Sequence, residues 1–201
     1  MMFWLLWISV NPVAGDIITY DVDHQKETDM LKNILCNILN TAFSNEVLEH
    51  IGDLKIYKMI LHKNRHVFGY VDTTEYPRMN IHISLQSVDI KRTMFHESMH
   101  IIHMILQNTD VASLMWLYRM YNIFNENATY GEPFNPDYFI SRQASSQFGE
   151  DLADTFGYIY VPRRTTQPIS ILHKMITLCI VLEEKKIING CIDKTHVFRA
   201  V

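Results

Sequence analysis

The apolar residues change their period several times along the chain, and each change marks an element. Between about Glu27 and His50, Leu31, Ile34, Leu35, Ile38 and Leu39 recur at helical spacing and predict a first helix. LKIYKMIL, from Leu54 to Leu61, then reads as a strand, and HVFGYVD, ending at Asp72, as a second. MNIHISL alternates cleanly. Met79, Ile81, Ile83 and Leu85 fall on one face and Asn80, His82 and Ser84 on the other, the pattern of a half-buried strand. From Ser87 to about Leu106 the spacing becomes helical again, with Ser87 or Asp89 placed to cap the start. Further helices are predicted near Val111 to Phe124, Gly149 to Tyr160 and Ile169 to Ile188, with a loop around Gly131, Pro133 and Pro136. Helix, small sheet, then mostly helices is an α+β order.

Composition narrows the class. The 201 residues are 48% apolar and 20% charged, which is globular, and they suffice for one domain with a sizeable core. Net charge is -4, and the basic residues occur singly or as isolated pairs (Lys91-Arg92, Arg163-Arg164, Lys185-Lys186) rather than as a stripe, so nucleic acid is not expected as a partner. The opening MMFWLLWISVNPVAG is a short apolar run ending in small residues. Val13 and Gly15 suit a signal-peptidase site with cleavage before Asp16. The expected organisation is a signal peptide over 1–15 and a single domain over 16–201, secreted and monomeric. The run lacks Lys and Arg, so a buried N-terminal element, cytoplasmic or holding the chain to a membrane uncleaved, is the alternative; it is too short to span a bilayer. Asn127-Ala128-Thr129 is a glycosylation sequon in a eukaryotic secretory setting. Three cysteines (Cys36, Cys179, Cys191) allow one bridge, such as Cys179 to Cys191, or three buried thiols.

The chemistry concentrates in TMFHESMHIIH, residues 93–103. On a helix, His96 and His100 differ by about 40° in direction and about 6 Å in rise, so both imidazoles leave one face and can meet one zinc ion. Glu97 lies about 100° round from His96, beside such an ion rather than between its ligands, where a carboxylate can take a proton from water. The flanking Met94, Phe95, Met99, Ile101 and Ile102 are apolar, and two histidines and a glutamate are costly to bury there without a partner such as a metal. His103 lies about 10 Å along the axis from His96, too far to share one ion easily, and is read as a packed or hydrogen-bonded histidine.

A catalytic zinc needs a third protein ligand and an open position. A further histidine six residues past His100 is absent, since residue 106 is Leu. The best candidates lie in SSQFGEDLADTFGYIY, where Glu150 and Asp154 are four apart and share a helical face. Glu150 could ligate, while Asp154 accepts the free ring N–H of a liganding histidine. Acids at a helix N-terminus are the structural alternative, and Asp151 fits it best.

HESMH, followed some fifty residues later by SRQASSQFGEDLADTF, resembles the zincin metallopeptidases of the gluzincin type, closest to the branch of zinc-binding metallopeptidases that includes the catalytic domain of anthrax lethal factor. Those proteins carry a second helix of the form E-(D/F)-x-A-E-(T/A)-F, which Glu150 to Phe156 match almost position for position. The resemblance spans roughly Ile81 to Tyr160. It implies an endopeptidase with one zinc held by His96, His100 and Glu150, Glu97 as general base, and a protein or peptide substrate. It also implies that MNIHISL is the edge strand beside which an extended peptide pairs. One position departs from the pattern: many relatives place an oxyanion-stabilising Tyr seven residues before the ligand Glu, where this chain has Gln143. Tyr138, Arg142 and Tyr158 are the other candidates for that task. The departure keeps a second expectation open, a zincin-fold zinc-binding module with little hydrolysis.

Overall fold

A computed structural model of the chain describes residues 18–20, 42–44, 57–62, 69–72, 79–84, 87, 89–126, 128–162 and 167–190. The signal-peptide segment, nearly all of the first helix, the sequon Asn127, Cys36 and Cys191 lie outside the described residues. Four strands form one sheet: β1 (Ile18–Tyr20), β2 (Tyr57–His62), β3 (Gly69–Asp72) and β4 (Met79–Ser84), in the order β1-β2-β4-β3. β1 runs parallel to β2 and β2 parallel to β4, whereas β3 pairs antiparallel with β4, Gly69 opposite Ile83 and Asp72 opposite Asn80. Helices α1 (Ile90–Thr109), α2 (Val111–Asn125), α3 (Phe148–Tyr160) and α4 (Ile169–Glu184) follow. The expected α+β class is observed.

One expectation is corrected. β4, the MNIHISL strand, is not at the edge: it is paired along both sides, to β2 and to β3. Among the described strands the antiparallel edge beside α1 is β3. Alternation along a strand reports that its two faces differ; it carries no information on whether the backbone groups between those faces are paired.

Of the two possible caps on α1, Asp89 does the work, its carboxylate accepting from Arg92 N at 3.1 Å, while Ser87 Oγ lies 2.8 Å from Thr93 Oγ1. Met94, Phe95, Met99, Ile101, Ile102 and Leu106 of α1 are buried, chiefly against α3. Phe95 stacks on Tyr160 with ring centroids 4.3 Å apart and meets Phe156 edge-on at 5.9 Å. Phe43 adds a fourth ring to this cluster, 6.0 Å from Phe156. The two helices come together at Gly157, where a Cβ would lie 3.2 Å from the carbonyl oxygen and Cγ of Arg92 and 3.7 Å from His96 N. The small residue thus lets α3 lie directly beside the turn of α1 that bears His96. α4 ends four residues before the expected Ile188, because Lys186 takes φ 54° and turns the chain so that Ile187 and Ile188 enter the core.

Candidate metal centre

His96, Glu97 and His100 project from the middle of α1, and Glu150 and Asp154 from the facing side of α3. His96 Nε2 lies 3.2 Å from His100 Nε2 and 3.2 Å from Glu150 Oε2, and His100 Nε2 lies 3.5 Å from Glu150 Oε1. With metal–nitrogen bonds of about 2.0–2.1 Å in a tetrahedral site, neighbouring donors sit about 3.3 Å apart. The Nε2–Nε2 and Nε2–Oε2 separations match that edge length, and His100 meets the other oxygen of Glu150 at 3.5 Å. These residues form a group that could hold one metal ion.

The surroundings orient the donors. His96 Nδ1–H donates to Asp154 Oδ1 at 3.0 Å, which fixes the tautomer and leaves Nε2 free to ligate. Asp154 is held in turn by Arg92, whose Nη2 is 3.3 Å from Oδ1, and by a hydrogen bond from Ser141 Oγ to Oδ2. Gln143 Nε2 donates to Glu150 Oε2 at 2.7 Å and clamps that carboxylate.

Electrostatically the site favours positive charge. Burial works against an imidazolium at His96, but hydrogen bonds to Asp154 and Glu150 outweigh it and push the group up to about 9. His100 moves the other way, down to about 4, through burial and the charge of His96. Two Nε2 atoms 3.2 Å apart have room for one proton between them; a cation at the same point satisfies both lone pairs at once. Burial raises Glu97 to about 7, with His96 opposing and the Glu150 and Asp154 carboxylates adding to the rise. A carboxylate at such a value can both accept and return a proton near neutral pH. Glu97 is 6% exposed and lies under β3, where a Cβ on Gly69 would come within 2.7 Å of its Oε1 and 2.6 Å of Thr93 Cγ2.

The other sequence candidates are distributed as follows. His103 is outside the donor group: its ring meets Phe148 edge-on at 5.9 Å, Gly149 packs on it, and burial lowers its basicity. Tyr138 turns away, its hydroxyl donating to Glu126 Oε2 at 3.0 Å. Arg142 is exposed. The Tyr158 hydroxyl accepts from Gln167, and the Arg92 guanidinium lies 5.8 Å from the centre of its ring. Asp151 stands in the first turn of α3 as expected of an N-terminal acid, but its carboxylate is turned inward onto Lys174. Sequence reasoning missed Ser141, Arg92, Lys174 and Gly69. Only Gly69 carried a local signal, since a glycine inside a strand pattern marks close approach of another group. Comparison with protein-family models, with curated proteins and with solved structures returns no significant match for this chain.

Proposed function

We propose that this chain is a zinc-dependent endopeptidase of zincin-like architecture, with His96, His100 and Glu150 as ligands and Glu97 as the proton-transfer residue. The observation that carries this reading is the convergence of His96, His100 and Glu150 through contacts of 3.2, 3.2 and 3.5 Å, with the buried Glu97 carboxylate beside that group and not part of it. A purely structural site has no use for that fourth group. Zinc over another divalent ion rests on a donor set that zinc accepts, two imidazoles and one carboxylate, together with the zincin resemblance of the HESMH and EDLADTF segments. When bound, it supplies a Lewis acid for the peptide carbonyl and lowers the pKa of water at the open position. Glu97 would take a proton from the attacking water as its oxygen bonds the peptide carbonyl carbon, and return it to the amine nitrogen as the C–N bond breaks. Asp154 keeps His96 in the ligating tautomer, and Arg92 and Ser141 keep Asp154 in place. β3, the edge strand among the described residues, passes over Glu97, so an extended peptide pairing beside it would lie next to the reacting groups.

Cys179 is disulfide-bonded, and the cysteine it joins lies outside the described residues. A bridge supports an oxidising compartment and hence secretion. Among the described residues no helix is long and apolar enough to cross a membrane.

A second reading, a zinc-binding module with little turnover, draws on Gln143. Its amide is committed to Glu150, and Tyr138 is committed to Glu126, so neither stands ready as an oxyanion donor. Losing one such donor typically costs about 10²–10³ in kcat.

Two measurements test the site. Elemental analysis should find one zinc per chain in the wild type and none in His100→Ala; equal metal content in the two proteins removes the proposed ligand set. Gly69→Ala should keep its zinc yet lose about 10–100-fold in kcat/KM, because the new methyl group displaces Glu97 from its position. Unchanged turnover in that variant would detach β3 from the chemistry.

A further inference from the structure

Next to the ligand Glu150, about 100° round the same helical turn, Asp151 belongs to a buried ion pair. Asp151 and Lys174 are each 0% exposed. Lys174 Nζ, reaching across from α4, donates to Asp151 Oδ2 at 2.7 Å and to the Tyr138 carbonyl at 2.6 Å, and it lies 4.5 Å from the centre of the Phe139 ring. Tyr130 Oη donates to the same Asp151 oxygen at 3.0 Å. The other oxygen, Oδ1, faces no donor among the described residues, so these two bonds are the hold on the carboxylate.

The first turn of α3 is otherwise fixed by Phe148, whose ring packs among His103, Tyr118, Tyr121 and Tyr130, and by the Gln143 amide on Glu150. Its N-cap residue, Gln147, makes no side-chain cap hydrogen bond. Successive residues of a helix point about 100° apart, so Asp151 can be anchored inward while Glu150 is presented towards His96 and His100. Glu150 must arrive within about half an ångström of its productive position for the donor triangle to close. We propose that Asp151 and Lys174 are positioning residues for the metal centre, a buried strut between α4 and α3 that sets where Glu150 meets His96 and His100. The proposal rests on the metal-site reading above. It adds Tyr130 and the Tyr138 carbonyl, in the loop before α3, to the machinery, because they are the pair's other hydrogen-bond partners.

The test reads metal affinity, not turnover. Zinc dissociation constants are measured by competition with a chromophoric chelator for the wild type, Asp151→Asn and the milder Tyr130→Phe, each first shown by circular dichroism to be folded without metal. The cobalt(II)-substituted proteins are compared by their visible spectra. Asp151→Asn is expected to bind zinc about 10–100-fold more weakly, the range for groups that orient a ligand, and to shift the cobalt bands. Tyr130→Phe should move both in the same direction by a smaller factor, and it decides the matter if Asp151→Asn does not fold. A merely structural strut lowers the melting temperature and leaves affinity and spectrum alone in whatever protein is folded. Affinities within twofold of the wild type with unchanged cobalt bands overturn the proposal and leave the metal site standing. A wild type that takes up no zinc overturns both.

Discussion

Glu97→Gln keeps its zinc and loses about 10²–10⁴-fold in kcat/KM towards an unstructured protein substrate. The substitution is close to isosteric, so the buried slot under Gly69 remains filled and α1 remains packed on α3. None of the three donors is touched. What disappears is the only property for which the carboxylate at this position is needed, its capacity to take a proton and return it. Burial holds that group at about 7, against the pull of His96, which matches the proton affinity the task requires near neutral pH. An amide has no such capacity, and the loss should therefore fall on turnover with the metal content unchanged by elemental analysis. If the wild type shows chelator-sensitive cleavage and Glu97→Gln cleaves as fast, the hydrolase proposal is wrong in its central residue. If the wild type binds zinc and cleaves nothing in a broad peptide library, the binding-module reading takes its place.

The pairing of HExxH with a second acidic helix was legible because both motifs are local. His96, Glu97 and His100 sit within two turns, and Glu150 and Asp154 within two more, so helix geometry alone predicts which side chains share a face. Convergence of the two faces depends on close packing between α1 and α3, and its enabling residue, Gly157, looks in the sequence like any glycine in a helical pattern. The edge position of MNIHISL was an implication of the resemblance alone, which alternation cannot check, because alternation describes faces and edge position depends on which backbones lie alongside. Lys174 was hidden for a different reason. A lone lysine in ISILHKMITLCIVLEE reads as the solvent-facing residue of an amphipathic helix, and only the tertiary fold reveals that it points inward at Asp151. Long-range charge pairs leave no periodic trace.

That inward lysine yields the largest stability effect expected in the molecule. Lys174→Met leaves the aliphatic packing against Phe139 and Tyr121 largely in place but strips Asp151 of its counter-charge. The carboxylate cannot reach water, and Tyr130 alone remains to bond it. Breaking a buried pair from one side typically costs about 3–5 kcal/mol, because a charge is left in an apolar setting. For a chain of this size that corresponds to a fall in Tm on the order of 10 °C. Burial already pushes Asp151 up to about 6 and draws Lys174 down, each held charged by the other. The sign of the second step follows from the same physics. Adding Asp151→Leu to Lys174→Met removes the stranded charge and replaces it with apolar volume, so the double variant should regain more than half of the lost stability. Urea denaturation of the wild type, the single variant and the double variant measures both steps. A single variant within about 1 kcal/mol of the wild type, or a double variant less stable than the single, would mean that Lys174 and Asp151 are not the enclosed pair that the packing of α3 against α4 makes them.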